Sequence, residues 1–180
     1  MTIQSDILEF WFEQTPKESW FKKDDAFDDA LRERFSDVLA RASQGAFEEW
    51  RDTPAGRLAL ILVLDQFSRN LRRGEGAAFA NDSRARDIAR QAITAGDHVG
   101  AEVDVPTFLF LPFEHSEALA DQLWSLSLFA GLGDENKDDY AHRHYVIIER
   151  FGRFPHRNEA LGRESTAEEI EFLKQPSSSF

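Results

Sequence analysis

The sequence predicts an all-α protein, and three observations carry that reading. Apolar residues recur at helical spacing through most of the chain, helix-start and helix-stop residues bracket those stretches, and alternating apolar–polar runs are scarce. The chain is also long enough to fold by itself, since 180 residues with 16 Phe and 4 Trp can fill a core without staples. The chain has no cysteine, which excludes disulfides, thiolate nucleophiles and cysteine-based zinc or iron–sulfur sites.

The elements follow in order. Asp24 can cap a helix whose apolar face is Phe27, Leu31, Phe35, Val38, Leu39 and Ala42, with Gly45 as its terminator. Thr53 followed by Pro54 is a helix entry, because proline at the first helical position lacks only an N–H that would be unbonded there. The helix it opens carries Leu58 to Phe67 and is apolar nearly all round, which predicts a central, fully buried position. A loop at "GEGAAFANDS" precedes a helix from about Asp82 to Ala95 that turns Ala85, Ile88, Ala89, Ala92 and Ile93 inward and stops at Gly96.

The stretch "GDHVGAEVDVPTFLFLPFEH" is read as an extended connector, since "FLFL" sits between Pro106 and Pro112. Ser116 is then expected to cap a helix through Leu128 and Phe129 that ends at "GLG". Asp134 starts another, with acids in its first turn, running to about Arg150. A capping box at Ser165 and Glu168 opens a short last helix expected to bury Ile170 and Leu173. Short links favour antiparallel neighbours, so the prediction is stacked helical hairpins in a single helical domain, residues 1–180.

Charge narrows the function. Thirty-three acidic side chains against 21 basic ones, a net charge of −12, oppose general binding to a phosphate backbone, so no nucleic-acid partner is expected. The longest apolar run, Leu58 to Leu64, is far short of the ~20 residues that span a bilayer, so no membrane partner is expected. The acidic amino terminus has no basic n-region, which points to a cytoplasmic protein.

Near-matches to ligand loops dissolve on inspection. "GLGDEN" follows a helix rather than a strand and would turn Asp134 and Glu135 toward phosphates. "DENKDDYAHRHY" has Asp139 where a calcium loop needs glycine and Tyr145 where it needs glutamate, so it is a solvated helix start. His142 and His144, two apart on one helix, point about 200° away from each other and cannot grip one ion together. His144 shares the inward spacing of Ala141 and Ile148. A metal site made of His115, Glu117, His144 and His156 is conceivable from residue type, and the alternative function is an acid–base or metal-assisted hydrolase using His115, Glu117 and His144. No metal and no cofactor are expected.

Four segments are specific in combination: "LDQFSRN" at 64–70, "LPFEHSEALADQ" at 111–122, His144 with Ile148, and "FGRFPHRNEALGREST" at 151–166. Together they resemble the bacterial family of uncharacterised proteins catalogued as domain of unknown function 924. The resemblance implies a tetratricopeptide-like right-handed helical superfold and supplies no activity. Carried over residue by residue, its polar signature falls on Asp65, Gln66, Arg69, Asn70, His115, Ser116, Glu117, Gln122, His144, Arg153, His156, Arg157, Asn158 and Arg163. Ser68 stands where the family pattern leads one to expect proline.

The last segment raises the functional question. Phe151, Phe154, Pro155 and Leu161 can anchor a loop that displays Arg153, His156, Arg157 and Arg163, while Gly152 and Gly162 allow tight backbone. From His142 to Arg163 five arginines face only Glu149 and Glu159. Planar guanidinium forks on a rigid loop suit a carboxylate or phosphate, so the candidate ligand-binding set is Arg69, His115, Glu117, His144, Arg153, His156, Arg157, Asn158 and Arg163, with a small anionic ligand or an acidic peptide end as partner. The competing expectation is that the arginines fork onto Asp65 and Glu117 and pin the fold.

Overall fold

A computed structural model describes residues 2–102, 104–176 and 178–179 of the chain. Every regular element among them is helical, and none is a strand. Contacts divide the chain into two compact units, one of residues 1–73 and 77–109, the other of residues 74–76 and 110–180.

The first unit opens with α1 (Ile3–Glu9), capped by a reciprocal pair of hydrogen bonds between Thr2 and Ser5, and runs on as a π-helical turn, Phe10–Gln14, that buries Trp11 completely. Helix α2 (Asp25–Ser43) starts as its sequence predicts: the Asp24 carboxylate accepts from the N–H groups of Ala26 and Phe27, and Leu31, Phe35, Val38, Leu39 and Ala42 are buried. Helix α3 (Pro54–Ile61) has Thr53 as its cap and Pro54 in its first turn. It continues through a π-helical stretch, Leu62–Phe67, into α4 (Ser68–Leu71), and every residue from Gly56 to Ser68 is buried. A Cβ on Gly56 would lie 2.0 Å from the Trp50 carbonyl oxygen, so only glycine lets the two backbones meet there. Helix α5 (Asp82–Ala95) ends on Gly96 in the left-handed conformation at φ 82°.

Buried ion pairs tie these helices together. Arg57 forks onto Asp97 at 2.6 and 2.7 Å, Arg73 onto Asp28 at 2.6 and 3.1 Å, and Asn70 reaches the same Asp28 at 2.7 Å.

Helix α6 (Asp104–Glu114) corrects the expectation of an extended connector. Pro106 is the third residue of the helix, where the missing N–H has no intrahelical partner to lose, and Pro112 lies two residues before the end. Pro106 therefore costs the helix nothing, whereas Pro112 lies inside it and leaves the Phe108 carbonyl without an i+4 donor, a cost offset by the apolar side chains the helix buries. The helix buries Phe108, Leu109, Phe110, Leu111 and Phe113.

In the second unit α7 (Leu119–Ala130) and α8 (Glu135–Phe151) form a tightly packed hairpin across the short link at Gly131–Asp134. Asp134 caps α8, accepting from the N–H groups of Asn136 and Lys137. Ser116 is not the cap of α7: the helix begins at Leu119, and the Ser116 hydroxyl accepts from the Ala118 N–H while donating to Asp121. Helix α9 (Ala167–Phe172) is capped one residue later than expected, by Thr166 with Glu169 rather than Ser165 with Glu168. That register exposes Ile170, leaves Leu173 half-buried and buries Glu169 instead. No helix of the described residues is long and apolar enough to cross a membrane.

Candidate functional site

The signature loop between α8 and α9 is built around Phe154, which is wholly buried. Gly152 ends α8 at φ 68°, and Gly162 adopts φ 63°, left-handed positions that favour glycine. Phe154 and Pro155 anchor the loop, Phe151 is half-buried against Phe172, and Leu161, expected as an anchor, is exposed.

Two of the loop's arginines close onto carboxylates of the same unit. Arg163 forks onto Glu117 at 2.7 and 2.9 Å, and Glu117 also accepts the Phe154 N–H at 2.8 Å. Burial alone would raise the Glu117 carboxyl, but the hydrogen bonds from Arg163 and Phe154 outweigh it and hold the group below the usual carboxylate range. Arg153 forks onto Glu169 at 2.7 and 2.8 Å. Glu169 further accepts the Thr166 N–H at 2.7 Å, and its carboxyl is pulled down to about 2, first by the Arg153 hydrogen bond, against burial, and then by Thr166.

Arg157 is placed differently. Its guanidinium is buried, lies over the Phe154 ring at 4.3 Å and donates to the His115 carbonyl at 3.0 Å. Asn158, also buried, donates to the Ser165 hydroxyl at 3.0 Å and toward Glu169 at 3.4 Å. The remaining candidates gather round the same ring. His144 meets Phe154 edge-on at 5.6 Å between centroids, His156 lies 5.5 Å from Phe154, and His115 lies 6.2 Å from His144. His115 and His156 are half-buried, and His144 is buried.

His144 is on the inner face of α8, as its spacing predicts, and His142 on the outer one. Its Nδ1 faces the Tyr140 carbonyl at 2.9 Å and the Glu114 carboxylate at 3.3 Å. Both are acceptors, so Nδ1 carries the proton and the lone pair of the neutral ring is on Nε2. Burial pushes the His144 pKa well below the ordinary imidazole value, and the charges of His115, Arg157 and His156 add to that.

Glu114 and Glu169 were not singled out by sequence reasoning. Glu114 fell in the segment taken for a connector, whereas the helical reading puts it on the last turn of α6. Glu169 was available from the sequence, since "STAEE" admits a box from Thr166 to Glu169 as well as one from Ser165 to Glu168.

Gln122 links the end of α6 to α7. Its amide donates to the carbonyls of Glu114 at 2.6 Å and Ser116 at 2.7 Å, groups that a terminating helix leaves unbonded. Among the described residues of this unit, Gln122 Oε1, Ser125 Oγ, Asn158 Oδ1 and Arg163 Nε are side-chain atoms buried without a hydrogen-bond partner. Arg69 belongs to the first unit, where it forks onto Asp82 at 3.0 and 3.1 Å and meets Asp65 at 2.9 Å. Among the described residues no three His, Asp or Glu side chains converge to hold a metal ion.

The chain matches a family model for bacterial proteins of unknown function over residues 7–177. The chain belongs to the DUF924 family. A protein of unknown function from Agrobacterium tumefaciens has the same fold, with a TM-score of 0.90 and 40% sequence identity over 96% of this chain and 97% of that one. No curated protein matches the chain. Membership of DUF924 therefore supports the helical architecture without attaching a reaction to it.

Proposed function

We propose that this protein is a cytoplasmic bacterial binding module whose second unit captures a small anion, a carboxylate or phosphate group of a metabolite or of an acidic peptide end. One observation carries the reading: Arg157, His144 and His156 pack on Phe154 and His115 packs on His144, a concentration of basic side chains beside the buried carboxylate of Glu114. Arg153 and Arg163 act on this reading as clamps, because their forks are filled by Glu169 and Glu117. Arg69 has the same clamping role in the first unit. Asn158 Oδ1 and Arg163 Nε, buried in the signature loop without a hydrogen-bond partner, are further support, since such groups ordinarily meet a ligand or water. The α7–α8 hairpin supports the wider reading of one helical domain built of hairpins stacked in a tetratricopeptide-like right-handed superhelix.

An anion beside His144 favours its protonated form, so binding takes up a proton and tightens as pH falls. The test is thermal denaturation at low salt with inorganic phosphate, sulfate and citrate. A site occupied at one hundred times its dissociation constant stabilises the fold by ~2.7 kcal/mol. The expected result is a saturating shift, larger at pH 6 than at pH 8, that disappears in His115→Gln/His156→Gln while non-specific salt stabilisation persists. A shift that never saturates, or one unchanged in that variant, overturns the reading.

A second reading has its own observation. The Glu114–His144 contact at 3.3 Å orients an imidazole as a general base orients, which supports acid–base chemistry of the hydrolase type. Glu117 has its oxygens taken up by Arg163 and the Phe154 N–H, so on this reading Glu114 takes its place. Ester and phosphoester hydrolysis that survives His144→Gln would exclude it.

A further inference from the structure

A surface remote in sequence from the signature loop has features of its own. Along α7, Leu119, Leu123, Leu126 and Ala130 follow i, i+4, i+7, i+11 spacing and form one stripe. Leu119 is 47% exposed and Leu123 50%, whereas the core of the same helix faces inward through Gln122, Ser125 and Phe129. A three-turn helix that leaves leucines uncovered on one stripe has an apolar face that its own fold does not use.

The stripe borders a concavity. Leu126 and Ala130 line a shallow groove with Glu135, Asp138, Asp139 and His142 of α8. Exposed Val146 follows His142 by four residues and extends the α8 side along the same stripe. Asp139 is paired with Arg143 at 2.5 Å, so the negative charge at this end rests chiefly on Glu135 and Asp138 in the first turn of α8. The groove is thus acidic at the end where α8 begins, and the apolar α7 stripe leads into it from Leu119 and Leu123.

We propose that the α7–α8 face is a docking groove for an amphipathic helix of a partner protein, with leucine-like side chains against the α7 stripe and Lys or Arg over Glu135 and Asp138. Charge decides the occupant. A second copy of a chain with net charge −12 would bring the acidic ends of two grooves into one interface, while a basic helix neutralises them. The stripe runs the full 12 residues of α7, roughly 16 Å from first to last at about 1.5 Å per step, which matches about three turns of a partner helix.

The probe is a labelled 15-residue helical peptide with leucines at i, i+4, i+7 and i+11 and lysines at one end, titrated against the full chain by fluorescence anisotropy. Two variants at exposed positions accompany it, Leu123→Asp and Glu135→Lys/Asp138→Lys, each checked by circular dichroism. The expected result is saturable binding that weakens about tenfold or more in Leu123→Asp. In Glu135→Lys/Asp138→Lys, preference should switch to a peptide with glutamates in place of the lysines. Absence of saturable binding, or Lys-peptide binding that Leu123→Asp leaves unchanged, overturns the proposal. So does sedimentation showing a dimer that Leu123→Asp dissociates, because the face would then belong to a second copy.

Discussion

Replacing Glu169 with glutamine separates a structural clamp from a ligand fork. The carboxylate is buried, accepts both arms of the Arg153 guanidinium and closes the capping box of α9 through the Thr166 N–H. Glutamine keeps the shape and one acceptor, but it removes the charge and turns an NH2 group toward the guanidinium or the cap. The fall of the Glu169 carboxyl from 4.5 to about 2 is worth roughly 3 kcal/mol at about 1.4 kcal/mol per unit. Water around the partly exposed Arg153 screens the pair, so the expected loss at pH 7 is nearer ~2 kcal/mol. In a chain of this length that lowers the melting temperature by roughly 4 to 8 °C.

The pH dependence supplies the sign. A carboxyl whose folded-state pKa is depressed contributes its full stability above the unfolded value and loses it as pH falls through the folded value. The parent should therefore lose its advantage over Glu169→Gln between pH 4.5 and about 2, and the two proteins should converge at the acid end. Urea denaturation of both proteins from pH 7 to pH 2 measures this, and taking their difference cancels the other carboxylates. Equal stability at pH 7, or a difference that does not change below pH 4.5, would refute the clamp and return Arg153 to the list of ligand-facing cations.

Two further outcomes are expected. Leu62→Asp puts a charge at a position with no solvent exposure in the central helix and should cost on the order of 3 kcal/mol or more, read as a lower urea midpoint or as failure to fold; a variant as stable as the parent refutes the buried placement. His144 is held neutral by burial and by His115, Arg157 and His156, so its contribution is complete above about pH 6.5 and is lost as pH falls below it; His144→Gln should flatten the stability profile between pH 6.5 and 5, and an unaltered slope refutes that assignment.

How much of this was legible in the sequence depends on the range of the interaction. Asp24, Thr53 and Asp134 act on backbone groups within three residues, so side-chain chemistry alone locates the helix starts. The inward direction of His144 likewise follows from 3.6-residue periodicity. Helix α6 is hidden by its prolines: Pro106 sits in the first turn, where a missing N–H costs nothing, but Pro112 is interior and is carried by the burial of Phe108, Leu109, Phe110, Leu111 and Phe113, which local sequence does not reveal. The ion pairs were out of reach: Arg163 meets Glu117 across 46 residues, and periodicity says nothing about which carboxylate an arginine will find. A local basic surplus in sequence thus became a nearly neutral pair of forks in space.

That neutralisation sharpens the functional argument. Arg57, Arg69, Arg73, Arg153 and Arg163 each present a guanidinium to an aspartate or glutamate of their own unit. Buried or half-buried forks of this kind fix geometry more than they add stability, because desolvation offsets much of the Coulomb gain. An acidic protein can spare the carboxylates for it. Round Phe154 the concentration is of imidazoles: His144 meets the ring edge-on, His156 lies 5.5 Å from it and His115 lies 6.2 Å from His144, while Arg157 stacks on the same ring and donates to the His115 carbonyl. Because the Arg153 and Arg163 forks are filled by Glu169 and Glu117, the anion test begins at His115 and His156 rather than at the arginines first in view.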